Sequence, residues 1–155
     1  MKDPIKYVLL LLKYRLRSES EIKMRMRAKG FKDDDIQKAL DFLKNEGLMD
    51  EGLLADELKD KYFSRGLSPR RVRQLLKRTG IQERIIEETL SEEETPEEEV
   101  LRIIQRMTSG STILDKQLVK RVFNKLRYMG YTNAEIFDML RRNGYSLKFT
   151  DFGEE

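Results

Sequence analysis

The sequence predicts an all-α protein built as three tandem three-helix repeats. Three observations predict it. Apolar residues recur at helical rather than alternating spacing. The same pattern returns three times at a shift of about fifty residues, a period typical of helical repeats. Glycines and capping residues punctuate the chain where helices of ordinary length should start and stop.

The repeat is the strongest signal. Gly30-Phe31 falls on Gly80-Ile81 and on Gly130-Tyr131. Upstream, Ile22 matches Val72 and Val122, and Met26 matches Leu76 and Leu126. Downstream, Ile36 matches Ile86 and Ile136, and Leu40 matches Leu90 and Leu140. Ile22 and Met26 are four apart and share a helical face, as do Ile36 and Leu40. The glycine between the pairs suits the position just past a helix end, where positive φ is cheap without a Cβ. Each unit therefore reads as helix, glycine turn, helix, with a further helix leading in. The expected units are residues 4–49, 50–92 and 95–145, with a tail over 146–155. None can bury a full core alone, so neighbours must share surfaces.

Helix starts are marked by Asp3-Pro4 and Ser68-Pro69, each a cap followed by a first-turn proline. Ser18 with Glu21, Thr95 with Glu98, and Thr132 with Glu135 have capping-box spacing. Gly47, Gly66 and Gly144 mark helix ends. No strand is expected, because alternation is absent and Val and Thr are scarce. Thr108 to Thr112 reads as a mobile loop. Leu147, Phe149 and Phe152 are candidates to dock the tail.

Composition excludes much chemistry. The 155 residues contain neither cysteine nor histidine. Disulfides, thiolate nucleophiles, zinc sites of the common types and histidine-based triads are thereby ruled out. No G-x-x-x-x-G-K-[ST] loop, G-x-G-x-x-G turn or EF-hand loop occurs. No cofactor and no enzymatic activity are expected. The apolar run Val8 to Leu12 is too short to span a membrane. A reducing compartment, the cytoplasm, is the simplest setting for a chain without cysteine.

Net charge is only +3, but the charge is segregated. From Lys61 to Gln82 there is no acidic residue. With Val72, Leu75, Leu76 and Thr79 inward, Arg70, Arg73 and Lys77 should point outward, flanked by Arg71 and Arg78. The equivalent helix of the first unit adds Lys23, Arg25, Arg27 and Lys29, with Arg15 and Arg17 just before it. Charge runs are usually solvated faces. Here the clustering of cations without a compensating acid favours an electropositive surface for phosphates or an acidic protein. The sign then reverses: Glu83, Glu87, Glu88, Glu92 to Glu94 and Glu97 to Glu99 are opposed only by Arg84. These glutamates read as a solvated linker that suits the helix start near Thr95-Pro96.

The residues resemble the RecX family, regulators of the RecA recombinase. Arg17-Ser18-Glu19-Ser20-Glu21-Ile22 is similar to the family's R-S-x-x-E-L opening, and Lys29-Gly30-Phe31 to the K-G-[FY] that follows. Gly47-Leu48-Met49-Asp50-Glu51 with Leu54-Ala55 resembles G-L-[IL]-D-D…[FY]-A. Ser68-Pro69-Arg70-Arg71-Val72 through Gly80-Ile81 resembles G-x-x-[KR]-[IL]…L…G-[IV]. The likeness runs from about Tyr7 to Leu90. Glu51, Leu54 and Ser68 depart from the pattern; the first two keep charge or apolarity, and the third exchanges a turn-former for a cap.

The resemblance implies that the three tandem three-helix repeats form an elongated, curved, solenoid-like array, a monomer lying in the groove of the RecA–DNA filament. It would lower ATPase, strand-exchange and co-protease activity, with weak or indirect contact to single- or double-stranded DNA. The leading contact surface is then Arg70, Arg71, Arg73, Lys77 and Arg78, and the second Lys23, Arg25, Arg27 and Lys29. A stand-alone nucleic-acid binder using the same helix is the rival reading, and a structural helical scaffold a third.

Overall fold

The computed structural model describes residues 3–148. Phe149 and Phe152 lie outside them. Among the described residues are nine helices: α1 (Pro4–Tyr14), α2 (Glu19–Lys29), α3 (Asp33–Asn45), α4 (Glu51–Ser64), α5 (Pro69–Thr79), α6 (Glu83–Leu90), α7 (Glu97–Thr108), α8 (Lys116–Tyr128) and α9 (Asn133–Arg142). They follow the three-helix repeat. The contacts divide the chain into two compact units, Met1–Asp60 with Arg73–Glu92, and Lys61–Val72 with Glu93–Glu155.

Every apolar position that defines the repeat is buried, from Ile22, Val72 and Val122 to Leu40, Leu90 and Leu140. In the first unit Val8, Ile22, Met26, Phe31, Ile36, Ala39, Leu40 and Leu43 form one core cluster. In the second unit Val100, Ile104, Leu114, Val122, Phe123, Leu126, Tyr131, Ile136 and Leu140 belong to another.

The three equivalent turns are built alike. Gly30, Gly80 and Gly130 have φ of 99°, 95° and 102°. The amides of Phe31, Ile81 and Tyr131 donate to the carbonyls of Met26, Leu76 and Leu126, five residues back. Each glycine amide donates three residues back, to Arg27, Lys77 and Arg127. These bonds satisfy carbonyls that a helix end leaves open.

Two of these glycines are also close-packed. Beside Gly80, in the first unit, stand the side chains of Ser20 and Ser18. Beside Gly130, in the second, stand Ser68 and Arg71. A Cβ at either position would collide with them. Two of these serines, Ser18 and Ser68, also bridge helix ends. Ser18 Oγ accepts from the Glu21 amide at 3.0 Å and donates to the Thr79 carbonyl at 2.7 Å. Ser68 Oγ accepts from the Arg71 amide at 3.1 Å and donates to the Gly130 carbonyl at 2.9 Å. One hydroxyl thus caps the start of one helix and the end of another.

Asp3, Ser18 and Thr132 cap as their sequence contexts indicate, the latter two in full capping boxes. Thr95 does not. Pro96 occupies the cap position of α7, and the Thr95 carbonyl instead accepts from the Glu97 amide at 2.8 Å. The helix starts one residue later than the Thr95–Glu98 spacing requires.

The absence of strands is also corrected. Ile113–Leu114 (β1) pairs in parallel with Ser146–Leu147 (β2). Strands of two residues carry no alternation to read. Leu114 is fully buried, and Leu147 packs against the second unit's core. The preceding segment is tied in place: Ser109 closes α7 in the left-handed region, and the Thr112 carbonyl accepts from the Ser146 amide at 2.8 Å.

Gly130→Ala combines a left-handed backbone with a steric collision, and should cost about 3 kcal/mol or more in urea unfolding. Gly47→Ala has φ of 67° but open space around the new Cβ, and should cost only about 1 kcal/mol. Equal losses would show that close packing at Gly130 contributes nothing.

Candidate interaction surface

The basic helix α5 starts from the Ser68 cap, with Val72 and Leu76 fully buried. Helical period then sets its cations on the remaining arc. Their surroundings differ, and the expectation that they lack a compensating acid is corrected for two of them.

In the second unit, Arg70 Nη1 donates to the Gly130 carbonyl at 2.8 Å and lies 3.5 Å from Glu135 Oε1. The Arg70 side chain is thus tied to the end of α8. Arg71 is half-buried, with its Cβ near Gly130. In the first unit, Arg73 Nη1 reaches Glu83 Oε2 at 3.1 Å and Glu87 Oε1 at 3.0 Å. The acid missing from α5 itself is supplied by the next helix. Lys77 and Arg78 are exposed and meet no carboxylate among the described residues.

The second set is likewise mixed. Lys23 lies 3.4 Å from Glu19 on its own helix, and Arg27 lies 3.7 Å from Asp33. Lys29 Nζ stands 6.0 Å above the Tyr7 ring. Arg25 is exposed, with no carboxylate partner among the described residues. Met24 and Tyr128 are exposed apolar side chains, at 66% and 75%. Part of the acidic run also has internal partners. Besides the Arg73 contacts, Glu97 accepts from Arg142 at 2.6 Å and from Asn143 at 3.0 Å.

Arg17 departs furthest from the expectation. It is only 8% exposed. Its Nε donates to the Leu11 carbonyl at 3.3 Å, while Nη1 is buried without a hydrogen-bond partner among the described residues. The nearby Glu21 carboxylate is engaged by Arg15 at 2.7 Å. Burial, then the neighbouring charges of Arg15 and Arg25, push the Arg17 pKa below its ordinary value. Arg17 is therefore part of the fold's interior and not of its surface.

Glu51 carries a role that charge counting misses. It is buried, and its two oxygens accept from the amides of Glu19 at 2.7 Å and Gln82 at 3.4 Å. One carboxylate thereby serves the starts of α2 and α6, where the helix dipole favours negative charge. Its place in the Gly47-Leu48-Met49-Asp50-Glu51 segment is the only signal in the sequence that could have found it.

Several carboxylates are held in their ionised form. The Lys44 ammonium at 2.7 Å holds Glu19 below the usual range. Burial opposes ionisation of Glu135, but the Thr132 amide and Arg70 outweigh it and hold its pKa down. Tyr131 is the reverse case: burial pushes its phenol well above the ordinary value, and its hydroxyl donates to the Gly66 carbonyl at 2.7 Å.

No group of three His, Cys, Asp or Glu side chains among the described residues is arranged to hold a metal ion. No helix among them is long and apolar enough to cross a membrane. Among the described residues, helical repeats present cations on their exposed faces. Comparison with known proteins places this architecture in a family. Residues 6–43 match the family model described as RecX, first three-helix domain.

The chain is 33% identical over 141 residues to a protein of Thermotoga petrophila named Regulatory protein RecX, covering 81% of this chain and 85% of that one. A Vibrio campbellii protein of the same name is 27% identical over 142 residues, covering 91% and 87%. The crystal structure of RecX from Lactobacillus salivarius superposes with a TM-score of 0.71 at 16% identity, covering 90% of this chain and 93% of that one. The chain belongs to the RecX family, whose members are regulatory proteins and not enzymes.

Two outcomes follow for the charges. Arg73→Glu replaces two attractions by two repulsions at partly exposed sites and should lower stability by about 1 kcal/mol in urea titration. The Lys77→Glu, Arg78→Glu double variant should stay within about 0.5 kcal/mol of the parent. Acid should destabilise the fold. Glu19, Glu21, Glu97 and Glu135 have folded pKa values below the ordinary 4.5. Their contribution is complete above that value and is lost as pH falls through the lower folded values. The urea midpoint should therefore drop between pH 5 and pH 3, and a flat profile would contradict these pairings.

Proposed function

We propose that this protein regulates homologous recombination by binding in the groove of a RecA-type recombinase filament on DNA. There it lowers ATPase, strand-exchange and co-protease activity. Membership of the RecX family is the observation that carries this reading. The charge pattern supports it: Lys77, Arg78 and Arg25 are exposed cations without carboxylate partners among the described residues. They lead the proposed contact surface. Arg70, Arg71 and Arg73 shape it while holding their internal contacts, and Lys23, Arg27 and Lys29 extend it.

The segments 4–49, 50–92 and 95–145 serve as three linked contact modules. Weak contacts made by linked modules reinforce one another through effective concentration. The protein acts as a monomer in the cytoplasm and needs no cofactor. The rival reading is a stand-alone nucleic-acid binder. The glutamates from Glu83 to Glu99 count against it, because they would repel a bare duplex nearby.

Binding to bare single-stranded DNA should be compared with binding to the same DNA coated with ATP-bound recombinase, across a salt series. The coated filament should be preferred, and its ATPase should fall. The Lys77→Glu, Arg78→Glu variant should bind the filament at least tenfold more weakly, with unchanged helicity and a shallower salt dependence. Equal or tighter binding to bare DNA, with no effect on ATPase, would favour the rival.

A further inference from the structure

Helix α1 is apolar on more of its girth than the core uses. Val8 and Leu11 are buried, whereas the adjacent Leu9 and Leu10 are 41% and 50% exposed. A helix that is apolar all round is ordinarily covered on all sides. The exposed leucines border a groove of about 460 Å³, whose floor is completed by Tyr7 and Phe31. Those two rings pack together at 5.4 Å between centroids, so the floor is preformed. The volume suits two or three apolar side chains.

The rim is cationic. Lys6, Lys13 and Lys29 line the groove. Among the described residues Asp3 is the one acid in the lining, and its Oδ1 already accepts from the amides of Ile5 and Lys6. Lys6 and Lys13 meet no carboxylate among the described residues. Seven residues apart on one helix, their backbone positions are separated by about 10 Å, roughly two helical turns. An apolar depression with cations at both ends complements an apolar pair flanked by acids. A contiguous apolar patch with a polar rim is the usual mark of a protein contact. Recognition of this kind is read through anchors at i and i+3 or i+4.

We propose that the α1 groove docks an acidic peptide segment of a protein partner. Two apolar side chains sit on Tyr7, Leu9, Leu10 and Phe31, and flanking carboxylates pair with Lys6 and Lys13. The groove uses none of the α5 cations and shares only Lys29 with the filament surface proposed above, and its test does not involve DNA or ATPase.

The probe is a fluorescein-labelled peptide of about a dozen residues, with two leucines four apart and glutamates on both sides. It is titrated against the full chain and followed by anisotropy. A second peptide carries lysines in place of the glutamates. The acidic peptide should bind, and the lysine peptide should bind at least tenfold more weakly. Lys6→Glu with Lys13→Glu should invert that preference. Leu9→Gln with Leu10→Gln should abolish binding of both peptides while circular dichroism at 222 nm stays unchanged. Equal binding of the two peptides, or retention of acidic-peptide binding by the glutamine variant, would overturn the proposal. Sedimentation is the remaining check. A dimer that the glutamine variant dissolves would show that a second copy covers the groove, which also overturns it.

Discussion

The architecture depends on one recurring constraint, the left-handed glycine that ends the second helix of each repeat. At Gly80 and Gly130 two independent demands coincide. The backbone must adopt positive φ to close the helix, and a serine side chain, Ser20 at Gly80 and Ser68 at Gly130, comes close enough to occupy the space of a Cβ. Only glycine meets both. Beside these glycines the hydroxyls of Ser18 and Ser68 each bond to two helices at once, leaving fewer polar groups open where helices meet. The Glu51 carboxylate works in the same manner at the starts of α2 and α6. Shared polar groups of this kind place helix ends relative to one another more specifically than apolar packing does alone.

That economy limits which cations remain for a partner. Arg70 and Arg73 sit on the arc of α5 that helical period assigns to the surface, yet each reaches a carboxylate on another helix. Lys77 and Arg78, one or two turns further on, meet none among the described residues. The same helix therefore divides its charge between internal pairing and exposed potential. Exposed pairs of this type are individually weak, so their value lies more in orientation than in stability. A filament or DNA contact would meet the exposed pair first and could compete for the others only by breaking existing bonds.

The sequence made the helices and their caps legible because both depend on local rules. Ile22 and Met26, or Ile36 and Leu40, need only a 3.6-residue period to find their face, and the glycine after the helix needs only its missing Cβ. Where local signals were ambiguous, the reading slipped. Thr95 and Glu98 have the spacing of a box, but Pro96 takes the cap position and shifts the register by one. The pairing of Ile113–Leu114 with Ser146–Leu147 joins short segments distant in sequence, and no periodicity signals it. Arg17 looked like one more surface cation, since sequence distance from Leu11 does not reveal that the chain folds back over it.

For the interaction surface, the sequence by itself determined which residues are basic, which helical face each occupies, and that the chain lacks the side chains for thiolate or histidine chemistry. Those properties follow from composition and period. Tertiary structure alone decided which of these charges are already paired, because pairing depends on distances between helices. Among the described residues it left Lys77, Arg78 and Arg25 without carboxylates while giving them to Arg73 and Arg70, and it buried Arg17. It also decided which side of α1 the core would take, leaving Leu9 and Leu10 to water, since a helix apolar on several faces carries no local preference among them.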